Sequence, residues 1–213
     1  MPIERLIVIA GPKSVGKSHL IKCLKRKAVP ELAGALRIGD PRSWKFTAAQ
    51  KFENENRRAD ARNSTIEYLA LHYEFTRPWN RRYEFGHSHD KPLTILEFAR
   101  EITFLTLHAP CDVLLSRYLA RNPRFQSRRE WIRAACEHAL QLKRFDRDFR
   151  PLYRNRVDLL AIYANWFDFC QAFAPKRHFL VDTRDGLFST TLVEDRPGDS
   201  IARICQERVA AEI

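Results

Sequence analysis

A glycine-rich loop that follows a short apolar run is the feature that most constrains this chain. Residues 11–18 read Gly-Pro-Lys-Ser-Val-Gly-Lys-Ser and match the pattern G-x-x-x-x-G-K-[ST]. Residues 6–10, just before the loop, are all apolar, which is typical of a strand buried on both faces. Residues 19–27, just after it, carry apolar and basic side chains on separate faces at helical spacing. The pattern therefore predicts a strand, a glycine turn and a helix in immediate succession.

The residue types in this loop suit the binding of phosphate groups. Gly11 and Gly16 leave room for backbone N–H groups to surround phosphate oxygens, and the helix N-terminus adds partial positive charge. Lys17 would reach the β- and γ-phosphates of a nucleoside triphosphate, and the Ser18 hydroxyl would contact Mg²⁺. We predict ATP and Mg²⁺ as cofactors, Ser18 as the metal ligand, and this nucleotide-binding run: Gly11, Pro12, Lys13, Ser14, Val15, Gly16, Lys17, Ser18 and His19. The loop does not distinguish ATP from GTP, and an ordinary strand-to-helix turn is the alternative.

The composition allows one domain with a strong positive charge. With 213 residues, of which 45% are hydrophobic, the chain can form one sizeable core, and we predict a single domain over residues 1–213. The formal net charge is +11, and residues 117–156 contain eleven arginines but only four acidic residues. Arginine matches phosphate and carboxylate groups, so we expect anionic partners; a solvated basic surface would have the same composition.

Cysteine usage and the first residues bear on the cellular compartment. The five cysteines are scattered and form no Cys-x-x-Cys pair, so we expect neither a zinc site nor a disulfide framework. The apolar run near the start is too short to cross a membrane, and it lacks a cleavage site of small residues. A cytoplasmic protein without membrane contact is the expectation.

Apolar runs and helical patterns alternate along the rest of the chain. We predict further strands at residues 35–39, 69–75, 102–107 and 178–181. A helix is the alternative at 69–75, because leucine and alanine favour one. We predict helices at residues 48–62, 92–100, 112–121, 159–173 and from about 200, with a loop at 79–89. Such alternation is typical of a parallel sheet covered by helices on both faces, which makes the expected fold class α/β.

Three segments resemble the P-loop small-molecule and nucleotide kinases, such as the adenylate, guanylate and shikimate kinases. They are the loop at residues 11–18, the strand and helix at 103–110 and 114–121, and the closing strand at 179–183. Only the loop motif is specific, since many α/β proteins share the other patterns. The resemblance implies a three-layer P-loop NTPase fold, with a five-stranded parallel sheet in the order 2-3-1-4-5 and an arginine-rich helical lid inserted at about residues 117–156.

The resemblance also implies an activity. The protein would be an ATP-dependent phosphotransferase that moves the γ-phosphoryl group to a small-molecule or nucleotide acceptor with the help of Mg²⁺. Lys17 would act in catalysis, and Arg121, Arg128 and Arg129 would be lid arginines that neutralise charge on the transferring group. A solvated helix face is the alternative for each of these arginines.

The chain departs from these kinases in one respect: no apolar strand ends in an aspartate ahead of a conventional metal site. The nearest carboxylates are Asp40, after the predicted strand at 35–39, and Glu74, at the end of the predicted strand at 69–75. Ligands of open parallel sheets bind beyond the carboxyl ends of the strands, so both carboxylates would face the loop. One could hold Mg²⁺ through water, and the other could orient or deprotonate an acceptor hydroxyl. Alternatively, each caps a helix or pairs with a nearby arginine.

Other polar and aromatic residues have plainer interpretations. His87 and His89 have no third ligand at a suitable spacing, so they indicate a surface loop rather than a metal site. His72 lies within an apolar strand and is predicted to pack in the core. The aromatic residues of the predicted helix at 159–173 recur at helical spacing and predict a core face: Tyr163, Trp166, Phe167, Phe169 and Phe173.

Four functions are compatible with a phosphate loop. A kinase would hold an anionic or hydroxyl-bearing small-molecule acceptor between Asp40, the arginines of residues 57–62 and the loop at 79–89. A nucleotide-dependent switch or motor is less favoured, because neither Asn-Lys-x-Asp nor a clear apolar strand ending in Asp-Glu is found. A nucleic-acid-associated kinase or ATPase would use the aromatic residues within the basic stretch, and is not favoured. Sulfate transfer is the fourth, although its loops seldom end in Gly-Lys-Ser.

Overall fold

The structure, a computed structural model, describes residues 3–49, 66–76, 91–120, 156–173, 177–184 and 188–192. Its strands are β1 (Ile3–Gly11), β2 (Trp44–Ala48), β3 (Tyr68–Glu74), β4 (Ala99–His108), β5 (His178–Asp182) and β6 (Ser189–Leu192). Its α-helices are α1 (Lys17–Lys25), α2 (Pro30–Ala35), α3 (Cys111–Leu119) and α4 (Arg156–Phe173). Two 3₁₀ helices cover Pro41–Ser43 and Lys91–Phe98.

The strands form one sheet in which five of the six are parallel. The order across the sheet is β2-β3-β1-β4-β5-β6, and β1 pairs with β3 on one side and with β4 on the other. The four-residue strand β6 joins the edge beside β5 in the antiparallel direction. The predicted α/β class and the parallel order 2-3-1-4-5 are therefore confirmed, whereas β6 was not among the predicted strands.

Helices α1 and α4 lie on opposite faces of the sheet. Trp166 of α4 stacks on Tyr73 of β3 with ring centroids 5.5 Å apart, so α4 covers the face to which Tyr73 points. The ammonium of Lys25 in α1 lies over the ring of Phe46, which pairs in register with Ala70. Ala70 and Tyr73 are three residues apart, and side chains alternate along a strand, so these two point to opposite faces. The sheet is the middle one of three layers.

The core follows from the central position of β1. Its residues 6–10 are at most 2% exposed, because β3 and β4 flank the strand and helices cover both faces. Each fully buried leucine or isoleucine contributes about 1.5–3 kcal/mol through removal from water. The predicted aromatic face of α4 is confirmed for Tyr163, Trp166 and Phe167, which are buried; Phe169 is partly buried and Phe173 is 45% exposed.

The predicted strand at residues 35–39 is wrong. Helix α2 ends at Ala35, with Pro30 at its first turn, and the strand on that side of the sheet is β2 at Trp44–Ala48. Proline at the first helical position is preorganised for a helix, and the alternating pattern Trp-Lys-Phe-Thr-Ala suits an edge strand. Ala48 therefore belongs to β2, and the first helical residue after it is Ala49, one position later than predicted.

The other predicted elements agree with the structure where residues are described. The strands at 69–75, 102–107 and 178–181 and the helices at 112–121 and 159–173 are confirmed as β3, β4, β5, α3 and α4. The segment predicted as a helix at 92–100 is a 3₁₀ helix that ends at Phe98, and β4 begins at Ala99. Residues 50–62 of the predicted helix, the loop at 79–89, most of the lid segment and the helix from about 200 lie outside the described residues.

A buried polar group ties α4 to the sheet. The indole Nε1 of Trp166 donates to Thr106 Oγ1 at 2.8 Å, and that hydroxyl lies 2.7 Å from Nε2 of His178. His178 is 1% exposed and packs beside the rings of Phe104 and Phe167. Burial disfavours its charged form and lowers the pKa of His178 to about 3.

This histidine makes stability depend on pH. Between pH 6.5 and about 3 the unfolded chain binds a proton that the folded chain does not, so stability falls as the pH falls through this window. We expect a loss of about 2 kcal/mol between pH 7.5 and 5 from this residue. Urea unfolding at both pH values measures it, and His178→Phe, which suits the aromatic surroundings, should lose about 2 kcal/mol less. Equal losses in the two proteins would contradict the assignment.

Candidate functional site

A cavity of about 580 Å³ lies beside the glycine loop, defined as residues 11–18. This loop leaves the carboxyl end of β1, and α1 begins within it at Lys17. In open parallel sheets, ligands bind beyond the carboxyl ends of the strands. The residues of the loop and α1 that line the cavity are Lys13, Ser14, Gly16, Lys17, Ser18, His19 and Lys22. Residues from other elements complete the lining: His72, Glu74, Arg117, Thr183 and Phe188.

The backbone of the glycine loop needs glycine at two points. Gly11 and Gly16 have φ values of 155° and 105°, which are left-handed values that residues with a side chain rarely adopt. A Cβ atom on Gly11 would lie 2.8 Å from Val15 Cγ1 and 2.9 Å from the carbonyl oxygen of Leu107. The loop thus closes around the buried side chain of Val15, and only glycine fits where it turns out of β1.

The ammonium of Lys17 lies at the floor of the loop. Its Nζ donates to the carbonyl oxygens of Gly11 at 2.8 Å and of Pro12 at 2.7 Å, and the residue is 8% exposed. An ammonium is costly to bury unless hydrogen bonds compensate it, and these carbonyls supply that compensation. Lys17 also lines the cavity, so its positive charge lies next to a space that is open to a ligand.

Several hydrogen-bond donors of the glycine loop have no acceptor among the described residues. No acceptor among the described residues contacts the backbone N–H groups of Ser14, Val15 and Gly16. The hydroxyl of Ser14, a residue that is 6% exposed, is likewise without a hydrogen-bond partner within the described part of the chain. Buried polar groups are nearly always paired in native proteins, which makes the Ser14 hydroxyl unusual, and consecutive N–H groups in a loop are compatible with the binding of an anion.

Thr183 joins four elements at one wall of the cavity. Its Oγ1 lies 2.8 Å from the Val15 carbonyl oxygen and 3.1 Å from that of His108, and its backbone N–H donates to the His108 carbonyl. The guanidinium of Arg117, from α3, donates to Thr183 Oγ1 at 3.0 Å and to the carbonyl oxygens of Thr183 and Arg184. The end of β5 therefore fixes both the glycine loop and an arginine at the cavity.

The carboxyl end of β3 supplies the polar residues of another wall. Glu74 pairs in register with Gly11, so the predicted position of Glu74 beside the glycine loop agrees with the structure. His72, two residues earlier, points to the same face and also lines the cavity. The prediction that His72 packs in the core is therefore wrong, because strand alternation separates it from the buried Leu71 and Tyr73.

The charges of the lining residues favour an anion. They include the cations Lys13, Lys17, Lys22 and Arg117, against the single carboxylate of Glu74. Cavities lined mainly by one sign of charge concentrate the field and attract ligands of the opposite sign. Near α1 the wall is aromatic, since the rings of His19 and Phe188 lie 5.6 Å apart between centroids.

The structure does not bring Asp40 to the glycine loop. Asp40 caps the 3₁₀ helix at Pro41–Ser43, and its Oδ1 accepts from the backbone N–H of Arg42 at 3.2 Å. That 3₁₀ helix leads into β2, so Asp40 lies at the amino end of a parallel strand, whereas the loop lies at the carboxyl end of the sheet. The alternative that Asp40 caps a helix is what the structure shows.

The remaining predicted site residues divide into two groups. Gly11, Pro12 and Val15 belong to the loop but are buried and are not among the residues that line the cavity. Several other candidates lie outside the described residues: Arg121, Arg128, Arg129, His87 and His89. The sequence interpretation missed the roles of Arg117 and Thr183, whose contact joins residues 66 apart in the chain.

Comparisons with known proteins do not identify the chain. No protein-family model matches it, and no curated protein sequence matches it significantly. None of the helices that the structure describes combines the length and the hydropathy of a membrane span. The functional interpretation therefore depends on the geometry of the cavity.

Proposed function

We propose that the protein is an ATP-dependent phosphotransferase that moves the γ-phosphoryl group to a small-molecule or nucleotide acceptor, as the P-loop kinases that it resembles do. The observation that carries the proposal is the set of donors in the glycine loop: the Lys17 ammonium, the N–H groups of residues 14–16 and the Ser14 hydroxyl. A triphosphate supplies the acceptors that these donors need. The excess of cations in the cavity supports the same class of ligand.

In the proposed complex the glycine loop binds and orients the phosphates. Its backbone N–H groups and the hydroxyl of Ser14 donate to phosphate oxygens. The ammonium of Lys17 exchanges the carbonyls of Gly11 and Pro12 for oxygens of the β- and γ-phosphates, a move that its flexible stem allows. These contacts position the γ-phosphoryl group and neutralise the charge on it, the two contributions on which phosphoryl transfer mainly depends.

The transfer forms one bond and breaks another. An oxygen of the acceptor attacks the γ-phosphorus, the bond between that phosphorus and the β–γ bridging oxygen breaks, and the nucleoside diphosphate leaves. If the acceptor is a hydroxyl, its proton goes to Glu74, the carboxylate at the wall of the cavity. Arg117 adds a fixed positive charge at the same cavity, and we propose that the lid arginines Arg121, Arg128 and Arg129 add more.

The oxygen donors in the cavity suit Mg²⁺. Ser18 is exposed on the first turn of α1 and Glu74 lines the same cavity, so a hydroxyl and a carboxylate are both present. Within the described residues, no group of three or more His, Cys, Asp and Glu could hold a metal ion by itself. Magnesium usually takes few protein ligands and completes its shell with phosphate and water, so this donor set fits it. Bound there, it would neutralise charge on the β- and γ-phosphates.

Nucleotide protection, followed by detection of ADP, tests the proposal. Mg-ATP at about 100 times its Kd should raise the melting temperature by about 5–10 °C, because it binds the folded chain alone. ADP should then form faster when a pool of candidate metabolites is added, and separate pools identify the acceptor. A melting temperature unchanged by Mg-ATP, Mg-GTP and Mg-ADP would contradict the proposal.

A nucleotide-dependent switch is the second candidate, and the position of Glu74 beside the glycine loop is equally compatible with it. A carboxylate beside the glycine loop can orient a water molecule as readily as an acceptor hydroxyl. The two functions differ in their need for an acceptor. Steady ADP release without one would favour the switch, whereas ADP release that depends on an added acceptor favours the phosphotransferase.

A further inference from the structure

Lys13 is a second lysine of the glycine loop, and the motif leaves its position unspecified. Its backbone is anchored, because its N–H group donates to Oγ1 of the buried Thr76 at 3.2 Å. Thr76 lies two residues beyond Glu74, so this bond places Lys13 beside the carboxyl end of β3. Lys13 is half-buried and lines the same cavity as Lys17.

The ammonium of Lys13 lies on an aromatic ring. Its Nζ is 5.3 Å from the centroid of the Tyr118 ring, and Tyr118 is held in the core at 4% exposure. Tyr118 belongs to α3, the helix that also carries Arg117. A contact between an ammonium and an aromatic face is weaker than a charge-assisted hydrogen bond to a phosphate. This ring contact can therefore be exchanged for a contact with a phosphate oxygen when an anion enters the cavity.

The order of the loop determines which phosphate lies near Lys13. The donors of residues 14–17 follow it in the chain and lead to α1, so in the proposed complex they would surround the phosphates nearer the helix. The backbone of Lys13 precedes them and lies on the side of β3, where Glu74 marks the place of the acceptor in the proposed function, and the flexible side chain can turn from the Tyr118 ring of α3 toward that side. The phosphate on that side is the terminal one, because the group that is transferred must face the acceptor.

We propose that Lys13 is a second phosphate-binding cation of this loop, which moves from the Tyr118 ring to the terminal phosphate of a nucleoside triphosphate. This inference rests on the proposed function and extends it. Lys17 serves both the β- and γ-phosphates, whereas Lys13 serves the γ-phosphate alone. The protein thus distinguishes a triphosphate from a diphosphate through a residue of its own loop, in addition to any contribution from the lid arginines.

Binding of two nucleotides to two lysine variants tests the inference. Titration calorimetry gives the Kd of Mg-ADP and of a magnesium complex of a non-hydrolysable ATP analogue for the wild type, Lys13→Met and Lys25→Met. Lys25 is a matched control, because its ammonium also lies 5.3 Å from a ring centroid, that of Phe46, but does not line the cavity. We expect Lys13→Met to weaken binding of the analogue about tenfold or more and of Mg-ADP less than about twofold. Lys25→Met should change neither value.

The outcomes separate this inference from the proposed function. If the wild type binds neither nucleotide, the proposed function fails, and the role of Lys13 fails with it. If the wild type binds both nucleotides and Lys13→Met weakens both equally or neither, only the role of Lys13 is overturned. Lys13→Arg keeps a cation at this position and should retain most of the preference for the ATP analogue, whereas a structural role would make it behave like Lys13→Met.

Discussion

Replacing Lys17 by alanine should reduce phosphoryl transfer by at least about 10³-fold and should strongly weaken nucleotide binding. The ammonium of Lys17 is held in the glycine loop by two carbonyl oxygens, those of Gly11 and Pro12, and it lies next to the cavity. ADP formation in the presence of acceptor and the Kd of Mg-ATP measure the two effects.

The same change must be separated from a loss of structure. Removing Lys17 takes its ammonium from the carbonyls of Gly11 and Pro12, but Lys17 itself lines the cavity, so water can enter in place of the ammonium. Lys17→Met retains the aliphatic stem and should lose activity to the same extent as Lys17→Ala. Lys25→Ala is the control: it removes an exposed lysine of the same helix and should leave activity and nucleotide binding unchanged. Thermal unfolding shows whether each variant is folded. Activity near that of the wild type in folded Lys17→Ala would contradict the phosphate-binding role of the loop.

The central part of the fold could be predicted because its signals are local. The strand β1, the glycine loop and α1 follow one another within residues 3–25, and each depends on its own side chains: a continuous apolar run, two glycines and an amphipathic helix. The left-handed φ values of Gly11 and Gly16 show why the motif needs glycine there. The alternation of strands and helices then restricted the sheet to a parallel order.

The edge of the sheet was predicted less well, although signals were present. The signal for α2 was Pro30, because proline is favoured at the first position of a helix. The signal for β2 was the alternation of Trp44 and Phe46 with Lys45 and Thr47, which is typical of a half-buried strand. An apolar run at residues 35–39 competed with these weaker signals and gave the wrong strand. Because of this error, Asp40 was predicted to follow a strand and to lie at the carboxyl end of the sheet. Asp40 instead precedes β2 and therefore lies at the amino end.

The walls of the candidate site depend on contacts that a sequence does not display. Arg117 reaches Thr183 across 66 residues, and the guanidinium–hydroxyl contact exists only because α3 packs beside the end of β5. His72 was predictable in principle, because alternation along β3 places it on the same face as Glu74. The apolar neighbours of His72 hid that pattern, since a strand buried on both faces has almost no polar alternation.

Replacing Glu74 by glutamine should lower phosphoryl transfer by roughly 10²–10⁴-fold while leaving nucleotide affinity within a few-fold of the wild type. Glutamine has nearly the same shape, but it can neither accept the acceptor's proton nor carry a negative charge beside the glycine loop. Glu67→Gln is a matched control, because Glu67 is an exposed glutamate just before the amino end of the same strand, β3. Single-turnover transfer to the identified acceptor, together with the Kd of Mg-ATP, measures both effects.

The dependence of the residual activity on magnesium then decides which role Glu74 has. If Glu74 holds the metal through water, the variant needs a higher magnesium concentration, and excess magnesium restores part of the rate. If Glu74 instead takes the proton of the acceptor, magnesium restores nothing, and the rate of the variant rises with pH as the acceptor loses its proton without help. If Glu74→Gln transferred the phosphoryl group at the wild-type rate, both roles would be excluded. A residue other than Glu74 would then have to act as the base.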